Sequence, residues 1–269
     1  MYESGSDTKP ATGQIVGDIR VMVGVVSPQL GNTRDIQVYL PPSYRTSGRH
    51  YPVIYMHDGQ NLFDARTSFA GEWGVDETME RLGPQGIEAI VVAIPNTGAS
   101  RADEYSPFPQ PRAGGGRGDQ YLDFIVHTVK PTVDQRFRTR LERSQTGIMG
   151  SSLGGLISLY GFFTFQDVFG FAGAMSPALW FGRRAIFDTI APRRWTGRIY
   201  LDIGTAEGRA LVRDVRLMGR MLRQRTDRPR LNLRVVEDRG ARHHESAWAA
   251  RFEHAVRFLL PTPPADLHW

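Results

Sequence analysis

The sequence of 269 residues contains no cysteine. Disulfide bonds, thiolate metal sites and cysteine nucleophiles are therefore all excluded. The chain also lacks any run of about 18 apolar residues, so we expect no transmembrane helix. Residues 1–13 are polar and contain no apolar core behind a basic start, so no signal peptide is visible. We expect a cytoplasmic protein with no membrane partner, and secretion after removal of a leader is the alternative.

Lysine is nearly absent as well, and the chain contains only Lys9 and Lys130. Arginine carries almost all of the positive charge, and the formal net charge is +5. A basic chain can bind nucleic acid, but here the basic residues alternate with acidic ones, as in Arg140, Glu142 and Arg143. We therefore expect a solvated surface charge and no nucleic-acid partner.

The length and a hydrophobic content of 41% are typical of one α/β domain. We predict tails at 1–14 and 261–269 and a single domain over 15–260. After two strands that form an antiparallel hairpin, apolar strand segments alternate with helical segments such as 119–133, 209–224 and 245–259. This alternation predicts a mostly parallel central sheet with helices on both faces. A long loop is expected at 96–118, which is rich in proline and glycine.

The stretch Gly150-Ser151-Ser152-Leu153-Gly154 has the pattern G-x-S-x-G, between an apolar strand segment and a helical one. In this context the pattern predicts a nucleophile elbow, a tight turn that exposes a serine above the sheet edge. Such a turn needs small neighbours, which Gly150 and Gly154 provide. A glycine-rich turn with an incidental serine is the competing interpretation. A base, an acid and an oxyanion site must therefore also be found.

Candidate partners for Ser152 follow later strands, whose carboxyl ends form the site edge of open α/β sheets. His243 and His244 follow the last predicted strand and are candidate bases, and spacing alone leaves open which of them acts. Glu207 follows another strand and is the candidate acid, whereas a structural role is expected for Asp202 inside that strand. The order serine, acid, histidine is that of α/β-hydrolase catalytic triads.

An oxyanion hole would complete such a site. The backbone amide of Leu153, directly after the serine, is one expected donor. The amide of Gln60 is the expected second donor, because Gly59 allows the backbone there to approach closely. His57 is interpreted as a buttress of this turn through a hydrogen bond, rather than as a second base.

Together these motifs resemble the putative-esterase family of α/β-hydrolases, the esterase D-like group that includes feruloyl esterases, enterochelin-type esterases and mycolyltransferases. The resemblance covers about residues 18–258. The family's histidine motif, roughly His-Asn-Glu, implies that His243 is the catalytic histidine and places His244 in the asparagine position. The matching stretches are residues 34–44, His57-Asp58-Gly59-Gln60-Asn61-Leu62-Phe63, Glu72-Trp73-Gly74-Val75-Asp76, Arg101 with Glu104-Tyr105-Ser106-Pro107, the elbow, Ser176-Pro177-Ala178-Leu179-Trp180, Gly204-Thr205-Ala206-Glu207, and His243-His244-Glu245 with Trp248.

The motifs and the resemblance imply a serine carboxylic-ester hydrolase that forms an acyl-enzyme on Ser152, with His243 as base and Glu207 as acid. An acyltransferase that uses the same acyl-enzyme is one alternative. A non-catalytic binding module on the hydrolase fold is an alternative of a different class. The expected partner is a small-molecule ester, and neither a metal nor a cofactor is expected.

Substrate contacts are expected from charged and aromatic residues near the elbow. The family motif implies that Arg101, Glu104 and Tyr105 lie near the pocket. Arg101 is expected to bind a substrate carboxylate or phosphate, or else to pair with an acidic neighbour, Asp103 or Glu104.

Trp73 and Trp180 are expected to form an apolar wall of the pocket, because they follow strand ends or turns beside the elbow. For Trp180, a role in covering the sheet is an equal alternative.

Overall fold

The computed structural model describes residues 15–190, 195–224 and 231–260. The predicted tails, 1–14 and 261–269, lie outside the described residues. Within the described ranges no helix is both long and apolar enough to cross a membrane.

In the described part of the chain, eight strands form one sheet in the order β1-β2-β4-β3-β5-β6-β7-β8. Strands β1 and β2 are an antiparallel hairpin, and β2 is also antiparallel to β4. All other neighbouring pairs are parallel. The predicted α/β-hydrolase fold, with a mostly parallel sheet and an N-terminal hairpin, is confirmed. The strands are β1 (Asp18–Ser27), β2 (Asn32–Leu40), β3 (Val53–His57), β4 (Ile90–Ile94), β5 (Thr146–Ser151), β6 (Phe171–Met175), β7 (Gly197–Gly204) and β8 (Leu231–Asp238).

Helices cover both faces of the sheet. Every residue of β3 is buried, and its side chains alternate between two apolar clusters. Tyr55 packs into the cluster that contains residues of α3, α5 and α7, and Met56 into the one that contains residues of α1 and α8. The described helices are α1 (Val75–Leu82), α2 (Arg101–Glu104), α3 (Gly118–Phe124), α4 (Lys130–Arg136), α5 (Leu153–Thr164), α6 (Ile186–Ile190), α7 (Arg209–Gln224) and α8 (Glu245–Leu259).

Helical periodicity predicted the last two long helices with the bounds that the structure has, 209–224 and 245–259. The expected helix near 119–133 is a composite of α3, a π-helical turn at Ile125–Val129, and α4. Its apolar residues keep one buried face through the π turn, and for that reason the periodicity in the sequence showed no break.

The segment 96–118 is more ordered than the expected long loop, because it contains α2 and is held to the sheet by a buried ion pair. The guanidinium of Arg34, on β2, donates to both carboxylate oxygens of Glu104 at 3.0 Å. Asn32 adds a hydrogen bond of 2.9 Å to the same carboxylate. The side chains of Arg34 and Glu104 are 4% and 0% exposed. This ion pair joins parts of the chain that are 70 residues apart.

Replacement of Glu104 tests how strongly this ion pair stabilises the fold. Glu104→Ala leaves a buried guanidinium without its partner, so we expect the free energy of unfolding to fall by about 3–5 kcal/mol in urea titrations. Glu253→Ala is the matched control. Glu253 also pairs with arginine, namely Arg81 and Arg257, but all three side chains are partly exposed, and its loss should cost about 1 kcal/mol or less. Equal losses in the two variants would contradict the assignment.

Candidate active site

Ser152 lies at the junction of β5 and α5 in a strained backbone conformation. Its φ and ψ are 56° and −120°, and it is the N-cap residue of α5. The Ser152 amide donates to the carbonyl of Met175 at 2.9 Å, which ties the turn to β6. A Cβ on Gly150 would lie 2.9 Å from the ring of His57, so only glycine fits between the turn and β3. The residues around Ser152 therefore form the tight strand-to-helix turn that the sequence pattern predicts.

Ser152, His243 and Glu207 form one hydrogen-bonded series. The Nε2 atom of His243 lies 3.0 Å from the Oγ atom of Ser152. The Nδ1 atom of the same ring lies 2.6 Å from Oε2 of Glu207. His243 is on the segment between β8 and α8, and Glu207 is just beyond the end of β7. Their catalytic roles stay predictions, and the geometry is that of a base between a nucleophile and an orienting acid.

His244 has a different position from its neighbour. It is the N-cap residue of α8, and its ring Nδ1 accepts a hydrogen bond of 3.2 Å from the Ser246 amide. The side chain is exposed. Of the two candidate histidines, the structure therefore brings only His243 into hydrogen-bond distance of Ser152.

The carboxylate of Glu207 is fixed by donors on both oxygens. Its Oε1 atom accepts from the Ser176 hydroxyl at 2.6 Å and from the Gly204 amide at 2.7 Å. Burial acts to raise the pKa of Glu207, but the hydrogen bonds from His243, Ser176 and Gly204 together lower it below the ordinary glutamate value. Glu207 is thus held ionised beside His243.

A second layer of charges fixes Ser176 itself. Its Oγ atom accepts from the indole of Trp248 and from Arg251, both at 3.0 Å. The guanidinium of Arg251 is paired with Asp202 at 2.9 Å, and Arg251 is 3% exposed. Asp202 is therefore an anchor for Arg251 inside β7 and has no contact with His243, in keeping with the structural role expected of it. The Trp248 ring also meets the His243 ring edge-on, with centroids 4.9 Å apart.

The turn after β3 carries Gln60, whose amide is the proposed second oxyanion donor. The two amides that follow are occupied, because Asn61 donates to Asp58 and Leu62 donates to Gly59. A Cβ on Gly59 would lie 2.6 Å from the backbone of Ala93, so the turn packs directly against β4. The amide of Leu153, the proposed first donor, is at the N-terminus of α5, where the first amides have no acceptor within the helix.

Arg101 fixes this turn. It donates to both oxygens of Asp58 at 2.8 Å, and the Asn96 side chain adds a bond of 2.6 Å. The expected pairing of Arg101 with Asp103 or Glu104 is thus replaced by a pairing with Asp58, which has a left-handed backbone at φ 54°. Asp58 directly precedes Gly59, so these bonds to its side chain fix the backbone path that leads to Gln60.

His57 is buried under the elbow, away from Ser152. It is 2% exposed, and its Nδ1 atom lies 2.8 Å from the hydroxyl of Tyr121. Burial lowers the pKa of His57 to about 3, so the ring is neutral at ordinary pH. The position fits the buttress that we expected, and the hydrogen-bond partner of the Ser152 hydroxyl is His243, not His57.

An open cleft of roughly 750 Å³ lies at the serine. Arg101, which is partly exposed, lines it, together with Gln60, Asn96, Phe69 and Trp248. A smaller cavity of roughly 220 Å³ lies at the amino ends of the strands, where Arg49, Arg140 and Arg198 are found, and has no part in this site.

The other residues expected to contact substrate lie outside this cleft. Glu104 is buried with Arg34, and Tyr105 is 0% exposed and accepts a hydrogen bond of 2.9 Å from the Asp58 amide. Trp73 is 5% exposed and packs on Trp248, so it supports the wall of the cleft from behind. Trp180 is 45% exposed, but the lining residues do not include it.

The sequence did not indicate three residues that the structure places at the candidate site, Asp58, Ser176 and Phe69. Asp58 and Ser176 stand in motifs that were recognised, but their partners, Arg101 and Glu207, are 43 and 31 residues away. Phe69 is 92% exposed at the rim of the cleft, and no sequence pattern marks it.

In the described parts of the chain, the one group of carboxylates close enough to hold a metal ion is Glu72, Asp76 and Glu77, which is separate from the cleft lining.

Comparison with known proteins finds similarity in sequence and in fold. A sequence model of the family described as "Putative esterase" matches residues 27–259. The protein YbbA of Bacillus subtilis, described as uncharacterized, is 28% identical over 255 residues, which is 88% of this chain and 97% of YbbA.

A siderophore enterobactin esterase of Emericella nidulans is 29% identical over 157 residues, which is 52% of this chain and 50% of that protein. The match therefore spans about half the length of this curated relative. Among solved structures, an IroE-like serine hydrolase from Shewanella oneidensis has a TM-score of 0.73 at 20% identity. That comparison covers 90% of this chain and 80% of the other, and it shows a shared fold.

The neutral, buried His57 makes stability depend on pH. Its pKa is about 3 in the folded chain and about 6.5 in the unfolded chain, so below pH 6.5 the unfolded state binds one more proton. Stability is thus lost as pH falls from about 6.5 towards 3, by about 2 kcal/mol from this group at pH 5.

We expect His57→Gln to flatten the slope of unfolding free energy against pH between pH 6 and 4.5 by about 1.4 kcal/mol per pH unit, measured by urea denaturation. The matched control is His254→Gln, which removes an exposed imidazole from α8. Parallel profiles for wild type and His57→Gln would refute the neutral, buried state.

Proposed function

The chain belongs to the putative-esterase family, and from this premise we propose that it is a serine carboxylic-ester hydrolase with Ser152 as nucleophile. In the proposal His243 is the general base and Glu207 orients it. The single observation that carries the proposal is the series of two hydrogen bonds, 3.0 Å from Ser152 to His243 and 2.6 Å from His243 to Glu207. This series gives the serine both a proton acceptor and a fixed direction of attack.

The proposed reaction has two halves. Ser152 Oγ attacks the ester carbonyl while His243 Nε2 takes its proton, and the protonated His243 then gives that proton to the leaving alkoxide. The acyl group remains on Ser152. In the second half His243 takes a proton from water, the hydroxide attacks the acyl-enzyme, and the acid leaves as the proton returns to Ser152. Glu207 keeps the Nδ1–H of His243 in place throughout and stabilises the imidazolium.

The amides of Leu153 and Gln60 are proposed to bind the oxyanion of each tetrahedral intermediate. The N-terminus of α5 favours negative charge at that position. Each amide aimed at the developing oxyanion is worth roughly 3 kcal/mol of barrier. Arg101 acts through Asp58 on the course of the turn, so it is a positioning residue in this proposal.

Water is the proposed acceptor of the acyl group. The side chain of His243 is 39% exposed and the cleft is open, so water reaches the acyl-enzyme from solvent. The exposed ring of Phe69 and the polar wall of Gln60, Asn96 and Arg101 suit an ester that has both apolar and polar parts. We propose a small carboxylic ester as substrate, with siderophore esters among the candidates because a relative is described as a siderophore esterase.

Two adjacent serines provide a matched test of the nucleophile. We expect Ser152→Ala to lower kcat/KM for p-nitrophenyl acetate and butyrate by about 10³-fold or more, since the acyl-enzyme can no longer form. Ser151→Ala removes the same hydroxyl one position earlier, at the end of β5, and should keep most of the activity. An inactive wild type, or a Ser152→Ala variant with full activity, would refute the enzyme proposal.

The two adjacent histidines provide an independent test of the base. His243→Ala should lower kcat/KM about as much as Ser152→Ala, because the two residues act as a unit. His244→Ala removes the cap of α8 and should instead lower stability by about 1 kcal/mol, with activity within a few-fold of wild type. Activity assays and thermal unfolding on both variants distinguish the two effects. Equal loss of activity in both would leave His243 unsupported as the base.

A panel of siderophore, feruloyl, sugar-acetyl and aryl esters then defines the substrate. The comparison of kcat/KM values measures which ester the cleft stabilises best in the transition state.

A further inference from the structure

Three carboxylates meet where the chain enters α1. Glu72 lies just before the helix, and Asp76 and Glu77 are in its first turn. One oxygen of each residue lies within 4.8 Å of an oxygen of each of the other two. Each residue also has a buried oxygen that no donor in the described chain contacts: Oε1 of Glu72, Oδ1 of Asp76 and Oε2 of Glu77.

Asp76 is the most deeply placed of the three, at 0% exposure. Its Oδ2 atom accepts a hydrogen bond of 2.8 Å from the Val16 amide, so its other oxygen, Oδ1, is the one left without a donor. A buried carboxylate oxygen without a donor is costly, and buried charges are normally paired or coordinate a metal.

The other acidic residues of the described chain that are buried as whole residues each have an arginine partner within 3.1 Å, and the enclosed carboxylate of Glu207 is bonded to His243. Asp76 is the one exception among them, and no lysine, arginine or histidine of the described ranges forms an ion pair with Glu72 or Glu77 either. The arginine-paired residues are Asp58, Asp64, Glu104, Asp202 and Asp214. This trio is therefore the place where the chain leaves buried negative charge without a fixed cation.

We propose that Glu72, Asp76 and Glu77 bind a divalent cation, with Ca²⁺ as the best fit. Ca²⁺ takes oxygen ligands at 2.3–2.6 Å, so oxygens that share one ion lie at most about 5 Å apart, as these do. Mg²⁺ holds its ligands at about 2.1 Å and usually keeps several waters, which suits a half-buried trio of carboxylates less well. Backbone carbonyls or water would complete the coordination.

Protons are the competing means of neutralisation. Burial, followed by the nearby Glu77 carboxylate, raises the pKa of Glu72 to about 7. Burial is also the main cause that raises the pKa of Asp76, to about 8. A protonated trio would need no cation, so the experiment must distinguish the two states.

A cation here would stiffen the segment that borders the proposed oxyanion turn. The Trp73 amide donates to the Asn61 carbonyl at 2.9 Å, and the Val75 amide donates to the Leu62 carbonyl at 3.0 Å. The trio is thus linked through two backbone hydrogen bonds to the chain beside Gln60. The cation takes no part in ester chemistry, so this inference is independent of the proposed function.

The test uses the full chain, stripped with a chelator and exchanged into chelator-free buffer at pH 8. Thermal unfolding is followed without added metal, with Ca²⁺ and with Mg²⁺, and isothermal titration with Ca²⁺ gives the affinity and stoichiometry. The variants are Glu72→Gln and Glu77→Gln, which keep side-chain shape and leave the Asp76 bond to Val16 intact. Glu253→Gln, on α8 and paired with arginine, is the matched control.

We expect Ca²⁺ to bind wild type and Glu253→Gln one to one, and to raise Tm by about 5 °C at a hundred-fold excess over Kd. In Glu72→Gln and Glu77→Gln the affinity should fall at least about ten-fold. Without metal these variants should be as stable as wild type or more so, because one repulsive charge is gone. No heat and no Tm shift in wild type, or the same affinity in all four proteins, would overturn the proposal and leave protons as the neutralising species.

Discussion

The backbone of Ser152 is held in a conformation that serine avoids, and the arrangement of the site depends on the packing that holds it. Such a conformation costs about 1–3 kcal/mol and persists only where the surrounding structure enforces it. Here the Met175 carbonyl, at the end of β6, accepts a hydrogen bond from the Ser152 amide. The Ala178 amide donates to the Ser152 carbonyl at 2.9 Å. On the other side the ring of His57 fills the space that a side chain at position 150 would need. The same packing explains why His57 is neutral, because it buries the ring and burial disfavours the charged form.

Around this turn, two arginines fix two separate parts of the site, the partly exposed Arg101 and the buried Arg251. Arg101 holds Asp58 and thereby the chain that leads to Gln60. Arg251, through Ser176 and Asp202, holds the end of β7 from which Glu207 reaches His243. Because each guanidinium binds a carboxylate with two fixed donors, it sets an orientation as well as a charge. The proposed oxyanion turn and the proposed acid are therefore positioned independently, although both meet at Ser152.

The sequence allowed the fold and the chain order of the proposed triad to be predicted, because both depend on local patterns. The helices α7 and α8 follow from apolar spacing, and the elbow follows from glycines within five residues of one another. The partners of Arg101 and Glu104 could not be predicted in the same way. Both arginine pairs span more than 40 residues, and the choice of carboxylate depends on how the sheet brings β2, the turn after β3 and α2 together. For the same reason Glu104 and Tyr105 were expected at the cleft, whereas the sheet places them beneath it.

The unusual composition of the chain has a structural meaning in this light. Arginine replaces lysine almost throughout, and arginine is the residue that suits buried carboxylates, because its planar donors match both oxygens. Five buried acids in the described chain follow this rule. Asp76 does not, and it lies at the start of the helix that adjoins the Gln60 turn. A guanidinium would fix this segment permanently, whereas an exchangeable ion makes its rigidity depend on the medium. At the proposed cation site of Glu72, Asp76 and Glu77, the ion content of the medium would therefore set how rigid the segment beside the proposed oxyanion site is.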